Sequence, residues 1–148
     1  MFEVLKKFVW KDMFVGALVF TVIATVVHQV EAMLTMGYYT DPRYAGLWSK
    51  VMMPTAGPPP LSFFITSLII SYLTGWFVVG VYQIIKSEFG KGYWTKAVNA
   101  AGLFWKAGVI FFLLPLYLMF NVPLLLLVWW AVSSAIIFML MGMYLARK

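Results

Sequence analysis

The residues best suited to chemistry are a histidine and a glutamate late in the first long apolar segment. His28 is the single histidine of the chain, and Glu31 follows it by three residues. At that spacing both side chains fall on one face of a helix. Ionisable groups inside apolar segments are costly to bury, and they often mark proton relays, ion pathways or ligand sites. The pair therefore predicts a proton or cation site.

A structural role explains the same two residues. Glu31 stands near the end of its segment, where it could form an ion pair with Arg43 or Lys50 of the following loop. His28 could then hydrogen-bond Ser67, which we expect at nearly the same depth from the rise of about 1.5 Å per residue. The sequence leaves both interpretations open.

Lys106 also lies inside an apolar segment. It could be a counter-charge in a polar cavity with Asn99, Thr21 and Thr74, or its long stem could carry the ammonium group to the membrane surface. An ion pair with Glu31 is disfavoured, because the rise per residue separates the two by more than about 10 Å in height.

No cofactor or catalytic residue is predicted. The chain has no cysteine, and one histidine with scattered methionines does not form a zinc or copper ligand set. Haem bound by His28 and a methionine would need a second ligand at a matched position, and none stands there. Phosphate-binding glycine loops and nucleophile motifs are also absent, which favours a protein that is not an enzyme.

The elements that must position these residues are membrane helices. Hydrophobic residues make up 64% of the chain and charged residues 11%, far from the composition of a soluble domain. We predict an all-α, four-transmembrane-helix bundle that forms a single membrane domain over residues 1–148. A short amphipathic helix is expected at 42–51 in the outer loop. Segments long enough to cross a bilayer are 13–35, 61–85, 97–120 and 124–146.

Three local signals refine these elements. Asp41 is a suitable N-cap, and Pro42 suits the first position of the short loop helix. Pro115 removes a backbone hydrogen bond and predicts a kink in the third membrane helix.

Polar residues predict how the first two membrane helices pack. Hydroxyl residues favour close helix contacts in lipid. In an antiparallel pair we expect Thr21, Thr25 and His28 to be level with Thr74, Ser71 and Ser67 respectively. The two helices should therefore pack through these polar faces.

Basic residues predict the orientation. Most flank the helix ends on one side of the bundle: Lys6, Lys7, Lys11, Lys86, Lys91, Lys96, Arg147 and Lys148. By the positive-inside rule that side is cytoplasmic, so both termini face the cytoplasm and the protein lies in the cell membrane. Topology explains the net charge of +6 without a nucleic-acid partner. The expected partners are the bilayer and either further copies of the chain or larger membrane subunits.

Part of the chain follows a recognisable pattern, in which a histidine late in the first membrane helix precedes tyrosine and then a Leu-Trp pair. The residues concerned are His28, Tyr38, Tyr39, Leu47 and Trp48. This run resembles small prokaryotic four-helix integral membrane proteins of unknown function, over about residues 20–50 and in the helix count. The chain departs from the pattern after Trp48, because Ser49 and Lys50 stand where a basic residue and a proline are expected. The resemblance implies the fold and no catalytic residue.

Two functions fit these observations best. The first is a non-catalytic accessory or structural subunit of a membrane assembly, indicated by small size and the absence of a catalytic set. The alternative is a small oligomeric transporter or channel that uses His28 and Glu31 as a proton or cation site. A lipid-modifying or redox enzyme is a third possibility with less support.

Overall fold

A computed structural model of the chain describes residues 9–49, 51–53 and 58–147, and every regular element within them is helical. Four segments are long and apolar enough to cross a membrane, which confirms the predicted all-helical membrane fold. The elements are α1 (Trp10–Leu34), α2 (Met36–Thr40), a 3-10 helix (Pro42–Leu47), α3 (Leu61–Ile85), a second 3-10 helix (Lys86–Phe89), α4 (Tyr93–Gly108), a π-helical turn (Val109–Leu113), α5 (Leu114–Met119) and α6 (Leu124–Leu145).

The predicted spans agree with these bounds within a few residues. The largest difference is at the third span, which starts at Tyr93 rather than 97. The loop helix differs more. Its start is as predicted, with the Asp41 carboxylate accepting the Arg43 N–H and Pro42 in the first position. It ends at Leu47, because the chain turns again around Ser49, whose carbonyl accepts the N–H of residue 52.

The bundle is organised around α1, which packs on both α3 and α6, while α4 packs mainly on α6. Neighbouring long helices are antiparallel. We call the end that carries the start of α1 and the end of α6 the terminal end, and the opposite end the loop end. At the terminal end the side-chain amide of Gln83 holds the start of α1, accepting the Val9 N–H at 2.9 Å and donating to its carbonyl at 3.3 Å.

Glycines, rather than hydroxyl residues, make the contact between α1 and α3. A Cβ on Gly16 would lie 2.6 Å from a methyl of Val79, and a Cβ on Gly75 would lie 2.7 Å from the Cβ of Phe20. These contacts match the expected antiparallel register. No hydrogen bond joins the two predicted polar faces among the described residues, because the hydroxyls bond carbonyls of their own helices: Thr21 to Ala17, Ser67 to Phe64 and Thr74 to Ile70.

The contact between α4 and α6 is equally close. A Cβ on Gly142 would overlap the carbonyl oxygen of Ala97, so the two backbones touch at the terminal end. Nearer the loop end, the indole N–H of Trp105 donates to the carbonyl of Ala131 at 2.8 Å. A small residue and a side-chain hydrogen bond thus fix the fourth span against the third, as is common for helices in lipid.

The third span contains a π-helical turn just before Pro115, where the sequence predicts a kink. The N–H of Leu114 bonds the carbonyl of Val109, five residues back. Proline has no N–H and its ring collides with the carbonyl four residues earlier. The wider turn accommodates both effects without ending the helix.

Candidate functional site

The polar residues at the loop end follow a four-residue spacing along nearly continuous helix. Glu31 lies in the last turn of α1, Thr35 joins α1 to α2, and Tyr39 lies in α2. The Thr35 N–H donates to the Glu31 carbonyl at 2.9 Å, so the helical path continues across the junction. This spacing places the three side chains on one face. Together with Trp48 and Trp130 they form what we call the loop-end cluster.

Glu31 and Thr35 form the buried part of this cluster. Glu31 is 6% exposed and Thr35 is 2% exposed. The Thr35 hydroxyl oxygen lies 2.8 Å from Oε1 of Glu31 and 2.8 Å from its backbone carbonyl. Because a hydroxyl has one proton to donate, Thr35 cannot satisfy both acceptors fully at once.

Tyr39 connects this pair to α6 and to the loop. The indole N–H of Trp130 donates to the Tyr39 hydroxyl at 3.1 Å, and the rings of Tyr39 and Trp48 are 4.8 Å apart. Burial raises the pKa of the Tyr39 phenol, and the nearby Glu31 carboxylate adds to this effect. The buried N–H of Trp48 has no acceptor among the described residues.

Arg43, one of the two cations expected to pair with Glu31, forms an ion pair with Asp41 instead. Arg43 is bound to Asp41, with 2.6 Å between Nη2 and Oδ2, and its side chain is 79% exposed. The Arg43 guanidinium holds the pKa of Asp41 below its usual range through hydrogen bonds. Lys50 lies outside the described residues. Within the part of the chain that the structure describes, Glu31 is therefore not in an ion pair.

His28 and Ser67 are not brought together by a hydrogen bond. His28 is exposed on α1, and it forms neither an ion pair with Glu31 nor a hydrogen bond with Ser67 among the described residues. The expected His28–Ser67 contact is absent because that serine bonds its own helix.

Lys106 does not lie in the expected polar cavity. Its side chain is exposed on α4. The hydroxyls of Thr21 and Thr74 bond their own helices, and the Asn99 amide donates to the carbonyl of Phe89 at 3.0 Å. Lys106 is also the central residue of the 27-residue span Tyr93–Met119.

Within the described residues, no group of three His, Cys, Asp or Glu side chains could hold a metal ion. Of the cluster residues, Thr35 and Trp130 were not singled out by the sequence analysis, and Tyr39 and Trp48 entered it only through the resemblance. A spacing of four from Glu31 to Thr35 and on to Tyr39 was the available signal. Trp130 joins the cluster only because α6 packs beside α2, and no local sequence signal indicates this contact.

No protein-family model, curated protein or solved structure gives a significant match to the chain. The resemblance of residues 20–50 to small prokaryotic membrane proteins therefore stays a prediction, and function has to be argued from the chain's own residues.

Proposed function

We propose that the chain is a non-catalytic accessory or structural subunit that joins a larger membrane assembly through the face of α4 that carries Lys106. The observation that supports this proposal most strongly is the position of that lysine. It is exposed at the centre of the third span, which is the least buried of the four.

Lipid alone is a poor environment for this side chain. With 13 residues on each side in a 27-residue span, Lys106 lies about 20 Å along the helix from either end. A four-carbon stem is too short to carry the ammonium group to either surface. A charge at the bilayer centre costs at least about 2.5 kcal/mol. A neighbouring subunit that supplies hydrogen-bond acceptors or a carboxylate would remove much of this cost.

The chemistry of the neighbour follows from where the chain's own acids lie. Among the described residues, the carboxylates stand at helix ends or in loops: Asp12, Glu31, Asp41 and Glu88. A second copy aligned in the same membrane offers no described carboxylate at the depth of Lys106. A different membrane subunit with an acidic or strongly polar residue at mid-depth is therefore the better partner.

An open apolar groove along α6 also favours a lateral partner. It has a volume of about 470 Å³ and includes Ala131 and Ala135, and Trp105 is the residue that α4 contributes to it. Small side chains let a neighbouring helix approach closely. Lys106 follows Trp105 in the sequence but does not line the groove.

Purification from native membranes in mild detergent tests this proposal. We expect the wild-type chain to co-purify with a larger subunit and Lys106→Arg to keep that association. Lys106→Met and Lys106→Glu should release it. Lys96→Met is the control, because Lys96 lies at the start of the same helix.

A single-component particle from native membranes would contradict the proposal. So would an association that Lys106→Glu leaves intact. If the particle contains only copies of this chain and depends on Lys106, the partner is a second copy rather than a different subunit.

A second candidate function is proton or cation transport through the Glu31 region. It is favoured by a carboxylate that is 6% exposed and has no ion-pair partner among the described residues. The Thr35 hydroxyl lies 2.8 Å from both the Glu31 carbonyl and Oε1, and with one proton it can donate to only one of them at a time.

Flux measurements in proteoliposomes test this alternative. Transport through this region predicts that Glu31→Gln abolishes proton or cation flux and that His28→Ala reduces it. Gln29→Ala is a matched control, because Gln29 is an exposed polar residue in the same turn. Flux that is equal in all four proteins, or absent in the wild type, would exclude the alternative.

A further inference from the structure

We propose that a pocket at the terminal end, between the end of α3 and the start of α4, binds the phosphate group of an anionic phospholipid. We call it the basic pocket. Its volume is about 500 Å³, and its lining includes Tyr82, Ser87 and three lysines, Lys86, Lys91 and Lys96. This proposal does not depend on the lateral partner at Lys106.

Charge makes the basic pocket suitable for an anion. Three lysines converge on a space the size of a headgroup. Glu88, which follows the lining residue Ser87 in the sequence, accepts a hydrogen bond from the Ser87 hydroxyl at 3.1 Å and does not line the pocket. Orientation in the membrane requires lysines at this end, but it does not require them to surround one cavity.

Tyr82 provides a second, independent indication of a ligand. The residue is 3% exposed, and its ring stacks on Phe89 with the centroids 5.7 Å apart. Its hydroxyl has no hydrogen-bond partner among the described residues and is not one of the fully enclosed polar atoms. Because the side chain lines the pocket, the hydroxyl is open to it, and a phosphate oxygen there would accept its proton.

The backbone adds further donors. Gly90 and Gly92 have positive φ angles of 85° and 99°, a conformation that glycine adopts readily. They turn the chain so that α4 starts at the pocket. No side chain caps this start, and the first helical bond joins the Lys96 N–H to the Gly92 carbonyl. The N–H groups of the first turn are therefore not used within the helix, and such groups bind phosphate well.

The position of the pocket favours a lipid over a free anion. Two segments long and apolar enough to span a membrane, Leu61–Phe89 and Tyr93–Met119, meet at the pocket, so we expect it at the level of the lipid phosphates. Trp94, exposed beside the pocket, is typical of that level. Basic pockets between membrane helices are known to hold anionic headgroups.

Native mass spectrometry of the purified full-length chain tests the proposal, with phosphatidylglycerol and phosphatidylcholine as the probes. We expect selective retention of phosphatidylglycerol. The double variant Lys91→Gln/Lys96→Gln should weaken this retention by about fivefold for each lysine. Tyr82→Phe keeps the ring and all charges, and should weaken it by about fivefold through the lost hydrogen bond.

The control is Lys11→Gln/Arg147→Gln, which removes the same charge from the same end outside the pocket. It should leave retention unchanged. Equal losses in the two double variants, or no effect of Tyr82→Phe, would mean that surface charge alone attracts the lipid and would overturn the proposal. Competition with inorganic phosphate distinguishes a lipid phosphate from a free phosphate ion as the ligand. Saturable phosphate binding without preference for phosphatidylglycerol would assign the pocket to a free anion and would also overturn it.

Discussion

The Thr35 hydroxyl lies 2.8 Å from the Glu31 side-chain oxygen Oε1, one helical turn away, and both residues are buried. This contact joins the end of α1 to the loop end of the bundle. It also provides a short hydrogen bond to the Glu31 side chain, and the Tyr39 hydroxyl interacts with the same carboxyl.

Loss of the hydroxyl at position 35 should destabilise the loop end. Thr35→Val keeps the shape of the side chain but removes one hydrogen-bond donor from the Glu31 carboxyl and leaves the Tyr39 hydroxyl beside it. We expect the free energy of unfolding in detergent to fall by about 1–3 kcal/mol. Thr35→Ser retains the donor and should lie closer to the wild type. Equal stabilities for the valine variant and the wild type would show that the contact contributes little.

Close backbone contact between α4 and α6 makes Gly142 sensitive to substitution. Gly142→Ala would place a methyl group on the Ala97 carbonyl, and we expect a loss of about 1–3 kcal/mol in thermal or chemical unfolding. Gly102→Ala is the matched control, since a Cβ there meets nothing within 4 Å. Its effect should be neutral or slightly stabilising because alanine favours a helix. A Gly102→Ala variant that is less stable than the Gly142→Ala variant would contradict this packing.

The raised pKa of Tyr39 predicts that the folded chain loses stability at alkaline pH. Its pKa in the folded chain is raised by burial above the ordinary value of about 10. The folded chain then binds the phenolic proton more tightly than the unfolded chain. The free energy that this difference adds to folding is fully present below pH about 10, and it is lost as the pH rises through the pKa of Tyr39 in the folded chain. Unfolding followed between neutral and strongly alkaline pH should show a smaller decline for Tyr39→Phe than for the wild type. An identical decline in both proteins would rule out this role.

The orientation in the membrane can be tested with single cysteines, because the chain has no native cysteine. We expect Ser87→Cys, at the terminal end, to be labelled by an impermeant thiol reagent only after the cells are opened. Thr40→Cys, at the loop end, should be labelled on intact cells. The opposite pattern would place the terminal end outside and contradict the positive-inside prediction.

The spans were predictable because their signal is local. A membrane helix needs about 20 apolar residues, and the chain contains four such segments. The Asp41 cap and the distortion before Pro115 are likewise set by neighbours in the sequence. Each of these features depends on a few adjacent residues rather than on the arrangement of the bundle.

The faces that pack were less predictable. Serine and threonine in a helix can bond the carbonyl three or four residues back, so a polar stripe need not be a contact surface. Thr21 and Thr74 do this, while Gly16 and Gly75 bring α1 and α3 together. The sequence singles out Glu31 as an ionisable residue in an apolar segment, but its contact with Thr35 depends on the helical path continuing beyond Leu34.

Photocrosslinking on the exposed face of α4 tests the central claim most directly. A photoreactive amino acid at position 103 leaves Lys106 in place on the neighbouring turn. In native membranes we predict a crosslink to one larger membrane protein, which disappears when Lys106→Glu is added. Position 22 is the control, since Val22 is 64% exposed and central in α1, and should yield no such product. Lipid adducts alone at both positions, or a protein crosslink that survives Lys106→Glu, would contradict the account.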